Sequence, residues 1–152
     1  MITVDLRGVT GLRRALEPEV VVREVSKAIA DTAKAAQRAA KGEVPRDTGA
    51  LGRAIALETR PLQARVFIDR PLIYAAVMEV GRRPGAAMPP PLRLSAGARR
   101  HGYTGSLFVL ARSIGRRGIK GRFYMQAGRD KARRQIDGEI RRAARRIDAE
   151  WR

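Results

Sequence analysis

The 152 residues carry 32 Lys+Arg against 15 Asp+Glu, a formal charge of +17 at pH 7, with 44% hydrophobic and only 5% aromatic residues. That length and hydrophobic fraction suit one globular domain and argue against wholesale disorder, with Ala, Val, Leu and Ile left to fill most of the interior. The absence of cysteine excludes disulfides and thiolate zinc sites, and no stretch approaches the roughly 20 apolar residues of a membrane-spanning helix.

Met1-Ile2-Thr3-Val4-Asp5 places an acid where a signal peptide needs its apolar run, so the expectation is a soluble protein made in a reducing cytoplasm. Residues 2–7 alternate apolar and polar and predict a strand. Residues 12–16 predict a short helical turn leading to Pro18, which suits the first turn of a longer helix. Over residues 19–41, Val22, Val25, Ile29, Ala33, Ala36 and Ala40 recur at three- and four-residue steps, with Lys27, Asp31, Lys34 and Arg38 opposite. This predicts a long amphipathic helix, tapering to alanine and stopped by Gly42.

Residues 54–60 and 62–69, separated by Pro61, predict adjacent antiparallel strands. Pro71 opens a short helix over 72–80 that Gly81 closes. Residues 82–91, Arg-Arg-Pro-Gly-Ala-Ala-Met-Pro-Pro-Pro, predict a stiff, exposed, irregular loop. A short helix over 92–100 follows, then a clearer one over 106–117, with Leu107, Leu110, Ala111 and Ile114 on one face and Ser106 at its N-cap. Gly115, Gly118 and Gly121 are expected to loosen the chain. A final helix over 125–151 carries the stripe Ala132, Ile136, Ile140, Ala143, Ile147 and Trp151.

The order predicts an α+β fold: a small antiparallel sheet with a long N-terminal helix, a short central helix and a long C-terminal helix packed on one face. The reading is a single domain over 1–152, with a Pro/Gly-rich basic excursion at about 82–121.

The most informative segment is Val44-Pro45-Arg46-Asp47-Thr48-Gly49-Ala50-Leu51. Asp-Thr-Gly also marks an aspartic protease loop, but that chemistry needs two carboxylates sharing a proton, and this chain has one such loop. Only a homodimer could assemble the site, and the hydrophobic strands that flank a protease loop are missing on both sides. The segment reads instead as a turn in which Asp47 or Thr48 accepts backbone N–H bonds and Gly49 supplies permissive geometry.

Other catalytic signals fail. Gly115–Gly121 is rich in Gly, Arg and Lys but lacks the Gly-Lys-Ser/Thr ending and the preceding strand of a phosphate loop, so it reads as a flexible basic loop. His101 is the lone histidine, beside Arg99 and Arg100, which repel a metal ion. No Gly-x-Ser-x-Gly elbow occurs, and neither an enzyme nor a cofactor is expected.

Charge is uneven: residues 1–80 hold 13 basic and 10 acidic residues, residues 81–152 hold 19 and 5. Arg133, Arg134, Arg141, Arg142, Arg145 and Arg146 form a broad basic flank on the last helix. A solvated face is the commoner reading of such a flank; because the field also attracts polyanions, the alternative is a nucleic-acid-binding protein without sequence preference, using the basic C-terminal half.

A second segment, Tyr74-Ala75-Ala76-Val77-Met78-Glu79-Val80-Gly81, follows the strand pair, and a third, Gly121-Arg122-Phe123-Tyr124-Met125-Gln126-Ala127, enters the last helix. Pro45-x-Asp47-Thr48-Gly49-x-Leu51, two strands, Tyr74-Ala-x-x-x-Glu79-x-Gly81 and then Phe123 resemble, in that order, the tail-completion (tail-to-head joining, terminator-like) family of long-tailed bacteriophages. Arg82 stands where members often have Thr, and the third segment lacks the family's Pro. The resemblance implies a homo-oligomeric ring, commonly hexameric, in the virion neck between tail-tube protein and head–tail connector, with no enzymatic activity. The excursion, with Arg82, Arg83, Arg116, Arg117 and Lys120, is where contacts with partner proteins or packaged DNA would fall. For Glu79, unfavourable near a helix C-terminus, a partner is expected: an arginine of a neighbouring strand or subunit is one candidate, and a local or solvated carboxylate is the other reading.

Overall fold

The computed structural model describes residues 18–70 and 72–150. The strand expected at 2–7, the turn at 12–16, Pro71 and Trp151 lie outside the described residues. In chain order the elements are α1 (Pro18–Glu43), α2 (Ala50–Ala54), β1 (Ile55–Arg60), β2 (Gln63–Ile68), α3 (Ile73–Val80), β3 (Gly81–Arg82), a 3₁₀ turn (Pro91–Leu94), α4 (Ser95–Arg100), α5 (Leu107–Arg117), β4 (Ile119–Lys120) and α6 (Tyr124–Ala149). The α+β class is borne out, with helix dominating. Among the described residues, 18–70 together with 124–150 form one compact unit, and 72–123 form another. The expected excursion lies within the second unit, as does the short central helix, α3.

In the first unit, the long helices α1 and α6 pack along each other, and α1 also lies on both strands of the β1–β2 hairpin. Ala28, Ala33, Ala35, Ala36 and Ala40 are all buried, and Ala36 and Ala40 meet α6 directly. Small side chains bring the helix axes together, and Gly128 of α6 takes this furthest. A β-carbon placed on it would lie 2.8 Å from the carbonyl oxygen of Ala36. Among the described residues, Tyr124 and Ile55 are the largest fully buried side chains, so the core is thin in large anchors, as the composition implied.

α1 does not stop at Gly42. It continues to Glu43 and ends where the ring of Pro45 disfavours helical geometry for Val44. On α6 the expected stripe is also corrected. Ile140 is 40% exposed, and the neighbouring Glu139 is turned inward instead, 6% exposed. Buried carboxylates need partners. Glu139 accepts hydrogen bonds from Gln135 Nε2 (3.1 Å) and from an Arg142 guanidinium nitrogen (2.6 Å). Glu24 on α1, also 6% exposed, accepts from Arg146 Nε (2.5 Å) and Arg23 Nε (3.1 Å), and Arg23 reaches on to Glu150.

The hairpin is antiparallel, in register from Ile55↔Ile68 to Arg60↔Gln63, with Leu62 (φ 58°) in the left-handed region of its tight turn. α1 fastens both ends: Gln37 Nε2 donates to the Ile55 carbonyl (2.8 Å), and Ser26 Oγ accepts from the Leu62 amide (2.9 Å).

Candidate functional site

The Asp-Thr-Gly segment folds as a helix start. Gly49 sits at φ 71°, ψ 0°, in the left-handed region, immediately before α2. Thr48 Oγ1 accepts the Ala50 amide at 3.3 Å, and the Arg53 guanidinium closes back onto the Thr48 carbonyl at 3.0 Å. Asp47 N–H donates to the Pro45 carbonyl at 3.2 Å, and Leu51 is buried at 4% exposure. The threonine supplies the side-chain acceptor, glycine supplies the backbone sign, and leucine anchors the turn. The segment runs into the short helix α2 first and only then into β1.

The second and third motif segments, distant in sequence, meet. Arg122 N–H donates to the Met78 carbonyl (2.8 Å) and Phe123 N–H to the Glu79 carbonyl (2.9 Å), while Gly81 pairs with Lys120 and Arg82 with Ile119 in the small β3–β4 sheet. Glycine makes this clasp possible. Gly118 (φ 73°) presses on the Arg82 carbonyl, and a β-carbon there would stand 2.9 Å from the Pro84 nitrogen. One on Gly121 would stand 2.6 Å from the Glu79 carbonyl oxygen, and one on Gly81 (φ 80°) would stand 2.5 Å from the Gly121 nitrogen.

The expectation of a flexible 115–121 loop is therefore corrected. Gly115 is buried inside α5 against Ala86 and Met88, Arg116 and Arg117 complete that helix, Gly118 caps it, and Ile119–Lys120 pair as β4. Gly85 N–H donates to the Gly115 carbonyl (2.9 Å), which ties the proline-rich stretch to α5.

Around this clasp, Arg83, Arg116, Arg117 and Lys120 are exposed. Arg82 is half-buried, with one guanidinium nitrogen donating to the Ala87 carbonyl, while its Nε is buried without a hydrogen-bond partner among the described residues. Tyr74 (43%) and Phe123 (46%) present their rings to solvent, and Phe123 holds a positive φ of 52°, uncommon for a non-glycine residue. Ser106 stands at the N-cap of α5, but its side chain makes no capping bond. Residues 72–123 contain ten Arg or Lys and a single acid, Glu79.

Each unit carries a concavity lined by described residues. In the first unit an apolar groove of about 300 Å³ runs along α1, β2 and α6, lined by Ile29, Ala33, Val66, Met125 and Ile136 among others. In the second unit a hollow of about 510 Å³ has Leu94, Gly97 and Leu110 in its lining with Arg93, Arg100, His101 and Tyr103. Sequence reading placed His101 and its arginines only as an unsuitable metal site. The spacing Gly115, Gly118, Gly121 was the available signal for the clasp, because glycines three apart bounding a Lys/Arg-rich strand suit close backbone approach as well as looseness. Among the described residues no three His, Asp or Glu side chains gather as a metal centre, and no helix is long and apolar enough to cross a membrane. Neither a protein-family model, nor a curated protein, nor a solved structure matches this chain.

Proposed function

We propose that this chain is a structural subunit of a bacteriophage or phage-like particle, forming a ring at the head–tail junction that completes the tail tube and joins it to the head connector. The observation that carries the assembly half of this reading is apolar surface left open. Leu92 is 82%, Val80 68% and Val109 59% exposed, all within residues 72–123. A chain with a small-residue core and large aliphatic side chains outside gains by burying them against other protein. The particle half rests on the ordered motifs Pro45-x-Asp47-Thr48-Gly49-x-Leu51, Tyr74…Glu79-x-Gly81 and Phe123, and two of these segments form one backbone clasp.

In this reading a closed ring uses one surface of each copy against a different surface of the next. The first unit, with its hairpin edges and apolar groove, serves lateral packing. The proline-rich stretch and basic face of the second serve axial neighbours, the tail-tube protein and the connector. The role is mechanical, with no bond made or broken. Immunogold labelling of purified particles tests it: gold at the neck, together with rings in micrographs of concentrated protein, is expected. Particles without label, and a protein that stays monomeric and binds neither tail tubes nor connectors, would overturn it.

A further inference from the structure

We infer that the hollow bounded by the 3₁₀ turn, α4 and α5 accepts one unstacked base of a single-stranded nucleic acid, with Arg93 and Arg100 on the flanking phosphates. This stands apart from the ring reading, and either can fail without the other.

The argument starts with Tyr103. Its hydroxyl donates to the Ser106 carbonyl (3.2 Å), its amide donates to the Ala98 carbonyl (2.9 Å), and its ring lies over Gly105, where a β-carbon would stand 2.8 Å from Cζ. The hydroxyl bond fastens the tip of the ring beside the Gly105 backbone, and the residue is 36% exposed. An aromatic face already fixed loses little freedom when a base stacks on it. Gly97 leaves room that a larger residue would fill, and Leu94 and Leu110 supply apolar walls. At about 510 Å³ the hollow has room for a base with space to spare, and Arg93 and Arg100 bring positive charge to its lining.

Charge complementarity selects the ligand. With ten basic residues and one acid, residues 72–123 draw phosphodiesters generally. A duplex keeps its bases stacked and paired and presents only its backbone, so it leaves the hollow empty. An acidic peptide satisfies the arginines but gains nothing specific from a pinned aromatic platform. A single strand uses both features.

Fluorescence anisotropy with the full chain tests this, using labelled oligo(dT), oligo(dA), a duplex of equal length, and poly-glutamate as competitor. Single strands are expected to bind at least about fivefold tighter than duplex, and Tyr103→Ala to weaken them about tenfold at low and moderate salt alike, in line with the loss of one stacked base. Tyr103→Phe keeps the ring but loses the hydroxyl bond to Ser106, so it is expected to bind between the parent and Tyr103→Ala, which separates stacking from folding. Arg93→Gln and Arg100→Gln are expected to weaken binding and make it less salt-dependent. Duplex binding as tight as single-strand binding, competition by poly-glutamate equal to that by oligonucleotide, or a Tyr103→Ala variant with parental affinity would each overturn the inference. Should Tyr103→Ala fail to fold by circular dichroism, an unchanged affinity and salt slope in both arginine variants would overturn it instead.

Discussion

Arg146 Nε donates to the carboxylate of Glu24 at 2.5 Å, joining α6 to α1 across 122 positions of sequence. That hydrogen bond holds the Glu24 carboxyl below its ordinary range despite burial, and Arg23 adds to it. A folded-state pKa below the unfolded one gives stability that is present above the unfolded value, about 4.3, and is lost as pH falls through the folded value. Urea melts of the parent should therefore weaken on the acid side. Glu24→Gln should lose about 1–3 kcal/mol at neutral pH and show a shallower acid limb. An acid limb as steep as the parent's would mean that other carboxylates carry it.

Two glycines of α6 should respond to alanine with opposite signs. At Gly128 the new methyl meets the Ala36 carbonyl at 2.8 Å and Ala40 Cβ at 3.2 Å, both attached to helix backbone that must move. Overpacking of about 1–3 kcal/mol exceeds the gain of about 1 kcal/mol in helix propensity. At Gly138 nothing lies within 4 Å, so Gly138→Ala should stabilise by about 0.5–1 kcal/mol. Melting temperatures of the two variants decide it; a shift of equal sign in both contradicts the close helix contact.

The clasp makes a similar comparison. Gly118 and Gly85 both hold positive φ, 73° and 76°, so alanine costs about 1–2 kcal/mol at either through the left-handed backbone alone. Only at Gly118 does the methyl also strike backbone, that of Arg82, Arg83 and Pro84. Limited trypsin digestion should accordingly cut after Arg82 faster in Gly118→Ala than in Gly85→Ala; the Arg83–Pro84 bond is resistant in both. Equal cleavage would show that the β3–β4 pairing does not hold that segment.

Much of this fold was legible because its signals are periodic or local. Pro18, the alanine-rich stripe and the Pro61 break predict α1 and the hairpin nearly to the residue, since one amphipathic face and one tight turn suffice. Glu139 displaced Ile140 from the inner line of α6 because two partners, Gln135 and Arg142, satisfy its charge, and a hydropathy pattern does not record partners. The clasp was misread for a related reason. Glycine reads equally as looseness or as closeness, and the backbone that Gly118 and Gly121 approach lies some 35 to 42 positions away. The hollow at Tyr103 depends on a ring pinned over Gly105 and on arginines from two different elements, so no single window of sequence contained it.

The Asp-Thr-Gly turn yields the last prediction. Thr48 Oγ1 accepts the Ala50 amide two residues on, an exposed local bond just outside the helix cap, and losing a hydrogen bond of this kind costs about 0.5–1 kcal/mol, so Thr48→Ala should destabilise modestly and Thr48→Ser should largely restore. Gly49 adds a conformational requirement, because its φ of 71° disfavours any residue with a β-carbon. A methyl there would face the Arg53 guanidinium at 2.8 Å, the mobile end of a long side chain, so backbone strain dominates over crowding. Gly49→Ala should cost about 1–2 kcal/mol, and Gly49→Asn less, since asparagine tolerates the left-handed region. Chemical denaturation of the four variants measures the order. If Gly49→Asn proved as damaging as Gly49→Ala, crowding rather than backbone sign would govern the turn.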